Sequence, residues 1–335
     1  MKERKQKEKR RNKRMLLLLL LLFMTGTMLV TSTYAWFTSN ETVRVQTITV
    51  NVSTAGGIQL SADGTNWKTV LLTTDLTGAH STYSGSVNQL PAQLEPVSTG
   101  LNVTAAGKLE MYYGVVQSND DGDFILTATP SVEARGTTGK FVAFDLVFKS
   151  DTANDLYLTA DSDVTTSDQS DKGIKNASRV AFIVLGNTTA SDTVANIQAL
   201  GTTNAASSNV YMWEPNYDVH TANAVSHARD TYNITTTQTG ASRISYDGVV
   251  DTILATDDVL LGEANATDNS TLFQSVTPTY TTVEGNATST QIFSLQEGVT
   301  KVRVYMWVEG QDVDCENTAS GGNINYDLVF SINGD

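Results

Sequence analysis

The chain has 335 residues, with 36 acidic against 22 basic side chains, a formal net charge of −14 and one cysteine, Cys315. A single cysteine excludes an intrachain disulfide, and the acidic balance disfavours nucleic acid and anionic membranes as partners. Nine of the 22 basic residues and two of the 36 acidic ones lie in residues 1–14, so 13 basic and 34 acidic residues remain beyond them, a net charge of about −21.

The basic opening MKERKQKEKRRNKR is followed by an apolar run from Met15 to Met24, in which residues 16–22 are all leucine, and then by Thr33-Tyr34-Ala35. A basic region, an apolar stretch and a small-x-Ala end are the three parts of a secretory signal, with cleavage expected between Ala35 and Trp36. Left uncut, the stretch from Met15 to Phe37 is long enough for one membrane span, which needs ~20 mostly apolar residues, and its basic flank stays on the cytoplasmic side. The expected organisation is therefore a signal peptide or membrane anchor over 1–35 and an exported domain over 36–335. The location that follows is extracellular or cell-surface, membrane-associated if the segment is retained, with a signal peptidase as partner during export.

Val43–Val52 reads as a first strand whose apolar phase changes: Val43 and Val45 share one parity, Ile48, Val50 and Val52 the other, which predicts a bulge near Gln46-Thr47. Turns are expected at Asp63-Gly64, Asp121-Gly122, Asp247-Gly248 and Gly321-Gly322. Residues 81–110, 186–209 and 255–290 read as long polar insertions. Phe141–Phe148 and Val180–Leu185 are continuously apolar enough for central strands buried on both faces. The one short helix expected is Asp192–Leu200, with Gly201 placed to stop it. In Thr300–Val308, Val302, Val304, Met306 and Val308 face one way and Lys301, Arg303, Tyr305 and Trp307 the other, the period of a half-buried strand. Ile324, Tyr326, Leu328, Phe330 and Ile332 form one face of a last strand. Many short strands and one or two short helices predict an all-β fold, an antiparallel β-sandwich or jelly roll with long polar insertions. Two echoes, VAFDLVFKSD (142–151) with NINYDLVFSING (323–334) and VYMWEPN (210–216) with VYMWVEG (304–310), occur in different order in the two halves. That order argues for similar strands filling similar core slots rather than for tandem duplication.

No catalytic residues are expected. The best metal candidates are Glu214, His220 and His227, although the seven-residue histidine spacing defines no zinc site unaided, and a polar loop holding two histidines is the alternative. Calcium candidates are Asp121 and Asp123 in one acidic turn and Asp161 and Asp163 in another; neither has the glycine at position six and glutamate at position twelve of an EF-hand loop. Glu309, Asp312, Asp314 and Cys315 form a compact polar group read as a turn that fixes a strand end. Cys315 has no basic or histidine neighbour in sequence to activate its thiol. Trp67, Trp213, Tyr211, Tyr217 and Trp307 are candidates for a sugar-stacking face, with core filling as the default for strand aromatics.

Three groups of residues carry a resemblance. Thr33-Tyr34-Ala35-Trp36-Phe37-Thr38 resembles the cleavage region of exported Gram-positive proteins processed by a SipW-type signal peptidase. Val304 to Cys315, with Phe144-Asp145-Leu146, Arg179-Val180-Ala181-Phe182 and Trp213-Glu214-Pro215-Asn216, resembles a set of exported clostridial surface proteins, and more distantly the TasA and camelysin group. The resemblance implies a jelly-roll subunit of cell surface or biofilm matrix. Its freed N-terminal segment, here Trp36 and Phe37 with Val43 and Val45, would pair with the next copy's sheet edge, against the plainer reading that Val43–Val52 is a strand of its own sheet. The partners implied are copies of itself. A surface adhesin binding glycan or a host surface is the alternative function, and a camelysin-like metal-dependent protease a third.

Overall fold

The chain divides after Ala35 into two units, Met1–Ala35 and Trp36–Asp335. The computed structural model describes residues 42–52, 57–118, 124–166, 173–201, 209–216, 219–232 and 289–332 apart from 313 and 316–320, with several shorter pieces between 235 and 281 and Met15 in the first unit. Trp36, Phe37, Asp121, Asp123 and Tyr217, and the rest of the apolar stretch after Met15, lie outside the described residues. Among those described, no helix is long and apolar enough to cross a membrane.

The chain is mostly β. It begins with β1 (Val43–Val52), β2 (Gln59–Ser61), β3 (Val70–Leu72), helix α1 (Thr73–Gly78) and β4 (Gln93–Leu94). A hairpin of β5 (Tyr112–Ser118) and β6 (Phe124–Pro130) precedes β7 (Val142–Ser150), β8 (Asn154–Leu158) and β9 (Asp163–Thr166). Then come β10 (Ser178–Thr188), α2 (Val194–Ala199), β11 (Val210–Glu214) and α3 (Ala222–Tyr232). After the two- and three-residue strands β12 (Gly248–Val249), β13 (Asp258–Leu260), β14 (Phe273–Gln274) and β15 (Tyr280–Thr281), the chain closes with β16 (Thr290–Leu295), β17 (Gly298–Val308) and β18 (Asn323–Ser331).

Two main sheets form. Sheet one runs β16-β8-β18-β1-β3, with β4 also on β1 and β9 also on β18; sheet two runs β15-β11-β10-β17-β7-β2. They pack face to face: Phe148 of β7 meets Phe330 of β18 edge-on at 5.3 Å, and Phe182 of β10 meets the same ring at 5.8 Å. The intervening core is built from alternate residues, Ile48, Val50 and Val52 with Ile324, Tyr326, Leu328 and Phe330 from sheet one, and Phe144, Leu146, Val180, Phe182, Val302, Val304 and Met306 from sheet two. Such alternation is what a period of two residues dictates for a strand with one face inward.

The expected phase change in β1 is present: its register against β18 is interrupted between Val45 and Thr47. Val43 is buried and Val45 half-buried within this strand of the chain's own sheet, where Val43 opposes Leu94 and Val45 opposes Ile324. The expected helix spans Val194–Ala199; Thr193 caps it by accepting from Asn196 N, Ile197 is its buried residue, and Gly201 follows at φ +75°. Helices α1 and α3 lie outside the single helix expected from sequence. The first is six residues long, with Leu76 alone buried. The second starts at an alanine-rich stretch capped by Thr221, whose hydroxyl accepts from Ala224 N at 3.1 Å, a strong local signal obscured by the neighbouring histidines.

Two expectations are corrected by burial. Every residue of β17 is buried, the Lys301, Arg303, Tyr305 and Trp307 face included; the strand is central in sheet two and covered on both sides. The cover is the 81–110 segment, read from sequence as a polar insertion. Its Val97 and Leu109 join the apolar layer of Tyr305 and Trp307, its Asn88, Gln89 and Ser98 are buried as well, and its Leu90 and Leu94 belong to the core between the sheets. It is stitched to sheet two by a reciprocal pair of bonds between Gln89 and Ala143 (2.7 and 2.8 Å), and by Val97 N donating to Val308 O while Gly310 N donates to Val97 O. A polar segment can be buried in this way because its amides and hydroxyls find partners there. Leu109 N, for example, donates to the Tyr305 hydroxyl at 2.9 Å.

Candidate functional site

The outer face of sheet two carries two buried ionic clusters, both centred on arginines. The first lies midway along β17. Arg303 and Asp145 are register partners across β17 and β7, with Nη1 2.7 Å from the carboxylate. The second guanidinium nitrogen pairs with Glu133 and donates to Val87 O, and the Tyr305 hydroxyl donates to the other oxygen of Glu133 at 2.7 Å. Lys301 lies 3.3 Å from Asp145 and donates to the Tyr83 hydroxyl and to the carbonyls of Gln198 and Leu200. Burial opposes the charge of Asp145, but Arg303 and Lys301 outweigh it and hold its carboxyl below the usual range; burial likewise pulls Lys301 down. The cluster joins β7 and β17 to the 81–110 segment through Val87, to the loop between β6 and β7 that carries Glu133, and to the end of α2.

The second cluster sits where β17 runs out into Glu309–Cys315. Main-chain bonds from Asp312 N to Glu309 O and from Cys315 N to Asp312 O make this a turn, and carboxylates tighten it: Gln311 N donates to Glu309 and Asp314 N to Asp312. Arg179, from the start of β10, reaches Asp312 at 2.5 Å and Glu214, at the end of β11, at 2.7 Å. Its other terminal nitrogen donates to the carbonyls of Asn176 and Ser178. Asp314 bonds His220 Nδ1 at 2.7 Å and accepts from Thr221 N at 2.8 Å, holding the start of α3 against the turn.

The electrostatics follow from burial. Glu309 accepts from Trp307 Nε1 at 3.0 Å, yet desolvation dominates and its carboxyl is pushed up to about 8, so it is protonated at neutral pH. Burial raises Asp314 to about 6 against the His220 hydrogen bond. His220 moves up as well: burial works against its charge, but Asp314, with Asp312 and Glu214 behind it, outweighs that cost. The two groups hold a proton between them more firmly than either would alone.

Of the metal candidates, Glu214 and His220 are thus brought into one cluster, but with a guanidinium where a cation would sit and with a carboxylate already on His220 Nδ1. His227 lies within α3, its side chain outside the described residues. Among the described residues, no three His, Cys, Asp or Glu side chains are arranged to hold a metal ion. Asp161 and Asp163 are exposed at the start of β9. The structure adds Asp327, directly across from Asp163, whose carboxyl is raised first by burial and then by its two acidic neighbours. Cys315 is buried. The aromatic candidates do not assemble into a platform: Trp213 and Trp307 are buried in different layers, and Tyr211 packs on Phe293 at 5.7 Å. Trp67 lies half-buried against Val147, Ile197 and Val299.

Sequence reasoning separated Arg179, Asp145 and Glu133 from any site. The available signal was Asp145 itself, a lone charge inside a strand read as buried on both faces, which requires a buried cation opposite. No family model, curated protein or solved structure matches the chain.

Proposed function

We propose that the protein is an exported, non-enzymatic structural protein of the cell surface or extracellular matrix, a jelly-roll-type subunit that joins copies of itself through the segment following Ala35. The observation that carries this reading is the use made of the buried polar groups. Arg303 pairs with Asp145 and Glu133, and Arg179 with Glu214 and Asp312; these buried ion pairs join neighbouring strands of sheet two and tie the Glu133 loop and the Glu309–Cys315 turn to it instead of facing a cleft. The N-terminal signal pattern, the absence of disulfide capacity and the strongly acidic surface suit a domain that stays folded and soluble outside the cell through its core. The resemblance to the TasA and camelysin group supports the same reading. The test is electron microscopy and sedimentation of purified protein beginning at Trp36, compared with protein lacking 36–42. Filaments formed by the first and lost in the second support the proposal; filaments formed equally by both refute the role of the segment, and none from either refutes self-assembly.

One observation favours an adhesin as second reading. A cleft of about 590 Å³ opens beside the β1 bulge, lined by hydrogen-bonding side chains including Arg44, Gln46, Gln93, Glu95 and Asn323. Glycan binding that Gln93→Ala abolishes would favour it over the structural role.

A further inference from the structure

Among the described residues, the first and last strands of the domain, β1 and β18, lie side by side in the interior of sheet one and run in the same direction. Eight residue pairs join them, from Arg44–Asn323 to Val52–Phe330. The chain therefore enters the pair at one end, where Gly321 N donates to Thr42 O and Arg44 N to Gly322 O, and leaves it at the other, beyond Phe330. Tension applied between the two ends of the domain acts along the strands and loads the ladder bonds together. The bonds of a parallel ladder are evenly spaced and slanted between the strands, so a pull along the strands from opposite ends loads them together in shear; strands whose loaded ends were adjacent would open one bond at a time.

Neither strand can leave cheaply. The far edge of β1 is held by antiparallel β3 and β4, and that of β18 by antiparallel β8 and β9. A one-residue slip would turn Ile48, Val50 and Val52 away from the core. A two-residue slip keeps the faces but must drag those side chains past Tyr326, Leu328 and Phe330 while every ladder bond is broken. The irregularity between Val45 and Thr47 has to move with it. On the outer face, Thr47 donates to Asn325 at 2.8 Å and Asn51 to Asp327 at 3.3 Å, adding side-chain links in the same register.

We infer that the parallel β1–β18 pair is a mechanical clamp, which resists tension applied between the N-terminal and C-terminal ends of the domain. The inference stands on strand direction and register alone. It holds whether the preceding segment anchors the chain in a membrane or joins it to another copy, so its failure and that of the proposed assembly are separate results.

Single-molecule force spectroscopy tests it. Residues 36–335 are pulled by handles at both termini. In a second geometry, on a Cys315→Ala background, an Asn323→Cys handle is paired with the N-terminal one, so that load enters both strands at the same end. Terminal pulling should unfold the domain in one main event at a force roughly twofold or more above that of the second geometry at the same loading rate, because the ladder is loaded together rather than serially. Equal forces would overturn the clamp. If Asn323→Cys does not fold, terminal pulling of the unmodified chain decides alone. An early, low-force event releasing only β18 overturns the inference, and a single event releasing the whole domain supports it.

Discussion

Replacing Arg303 by methionine tests whether the buried ions of sheet two hold the cover in place. Methionine keeps most of the side chain's bulk and apolar stem, so the change is chiefly electrostatic. It strips Asp145 of its 2.7 Å partner and Glu133 of its guanidinium, leaving Lys301 at 3.3 Å from the first and Lys108 at 3.8 Å from the second. Two carboxylates inside the protein then face one buried and one partly exposed ammonium. Breaking a buried pair by removing one partner costs ~3–5 kcal/mol, a large share of the roughly 5–15 kcal/mol by which a domain is stable. The melting temperature should fall by on the order of 10 °C, read by calorimetry and by urea titration followed through tryptophan emission. Trp307 reports directly, since it lies under the same cover.

The pH dependence supplies the sharper half of the test. In the unaltered protein the Asp145 carboxyl is held below its unfolded value, so its contribution is present above about pH 4 and is lost as the pH falls through the folded pKa. In Arg303→Met, burial acts with only Lys301 to oppose it and the folded pKa rises. The variant should then lose less, relative to the parent, near pH 5 than near pH 8. Adding Glu133→Gln should return part of the loss, because the neutral amide no longer needs the cation. A cost under about 1 kcal/mol, or one that does not change between pH 5 and 8, would refute the argument that these ions fasten the cover.

Glu309, pushed up to about 8 when folded, binds its proton more tightly in the native state, so stability should decline as pH rises from about 4.5 towards 8; urea midpoints for Glu309→Gln should lose much of that decline. Gly173 adopts φ +79°, and an added Cβ would lie 2.5 Å from Asp314 O. Gly173→Ala should therefore cost more than ~1 kcal/mol and speed amide exchange at the start of α3, which Asp314 holds. Asp163 and Asp327 are like charges directly opposite each other, and Asp163→Asn should stabilise by ~0.2–1 kcal/mol, an increment that shrinks in high salt.

The half-buried and wholly buried strands differed in how far sequence reached. In β18 the exposed face is marked by Asn323, Asn325 and Asp327, and alternation alone gave its orientation. In β17 alternation gives the two faces, but its lysine and arginine fit the pattern of a half-buried strand, whereas every residue is buried. What reverses that reading is 81–110, a segment more than 190 residues earlier in the chain, whose asparagines, glutamines and threonines look like a solvated loop until their partners on sheet two are known. Local pattern reports period; it does not report what lies above a strand. The turn Glu309–Cys315 was legible because its carboxylates lie close in sequence, whereas the cations that complete the cluster come from other strands.

The two VYMW segments show where the missing information sits. They occupy β11 and β17 on either side of β10, but one residue out of step. Val180 opposes Trp213 on one side and Met306 on the other, and Ala181 opposes Met212 and Tyr305. A slip of one residue exchanges the faces of a strand, so Trp213 enters the core between the sheets while Trp307 lies in the outer layer. Arg179 helps to fix that offset. Its guanidinium meets Glu214, which follows Trp213 directly, but on the β17 side it meets Asp312, five residues beyond Trp307 and past the end of the strand. In-step pairing of the two motifs would move the Trp213–Glu214 end of β11 one position along β10 and turn Glu214 into the apolar layer. A buried charge left without its partner there costs several kcal/mol, more than the difference between one aromatic packing and another. The placement of identical apolar motifs is thus decided by the charged residues beside them, which is why a repeat inferred from the apolar letters would have assigned the wrong tryptophan to the core.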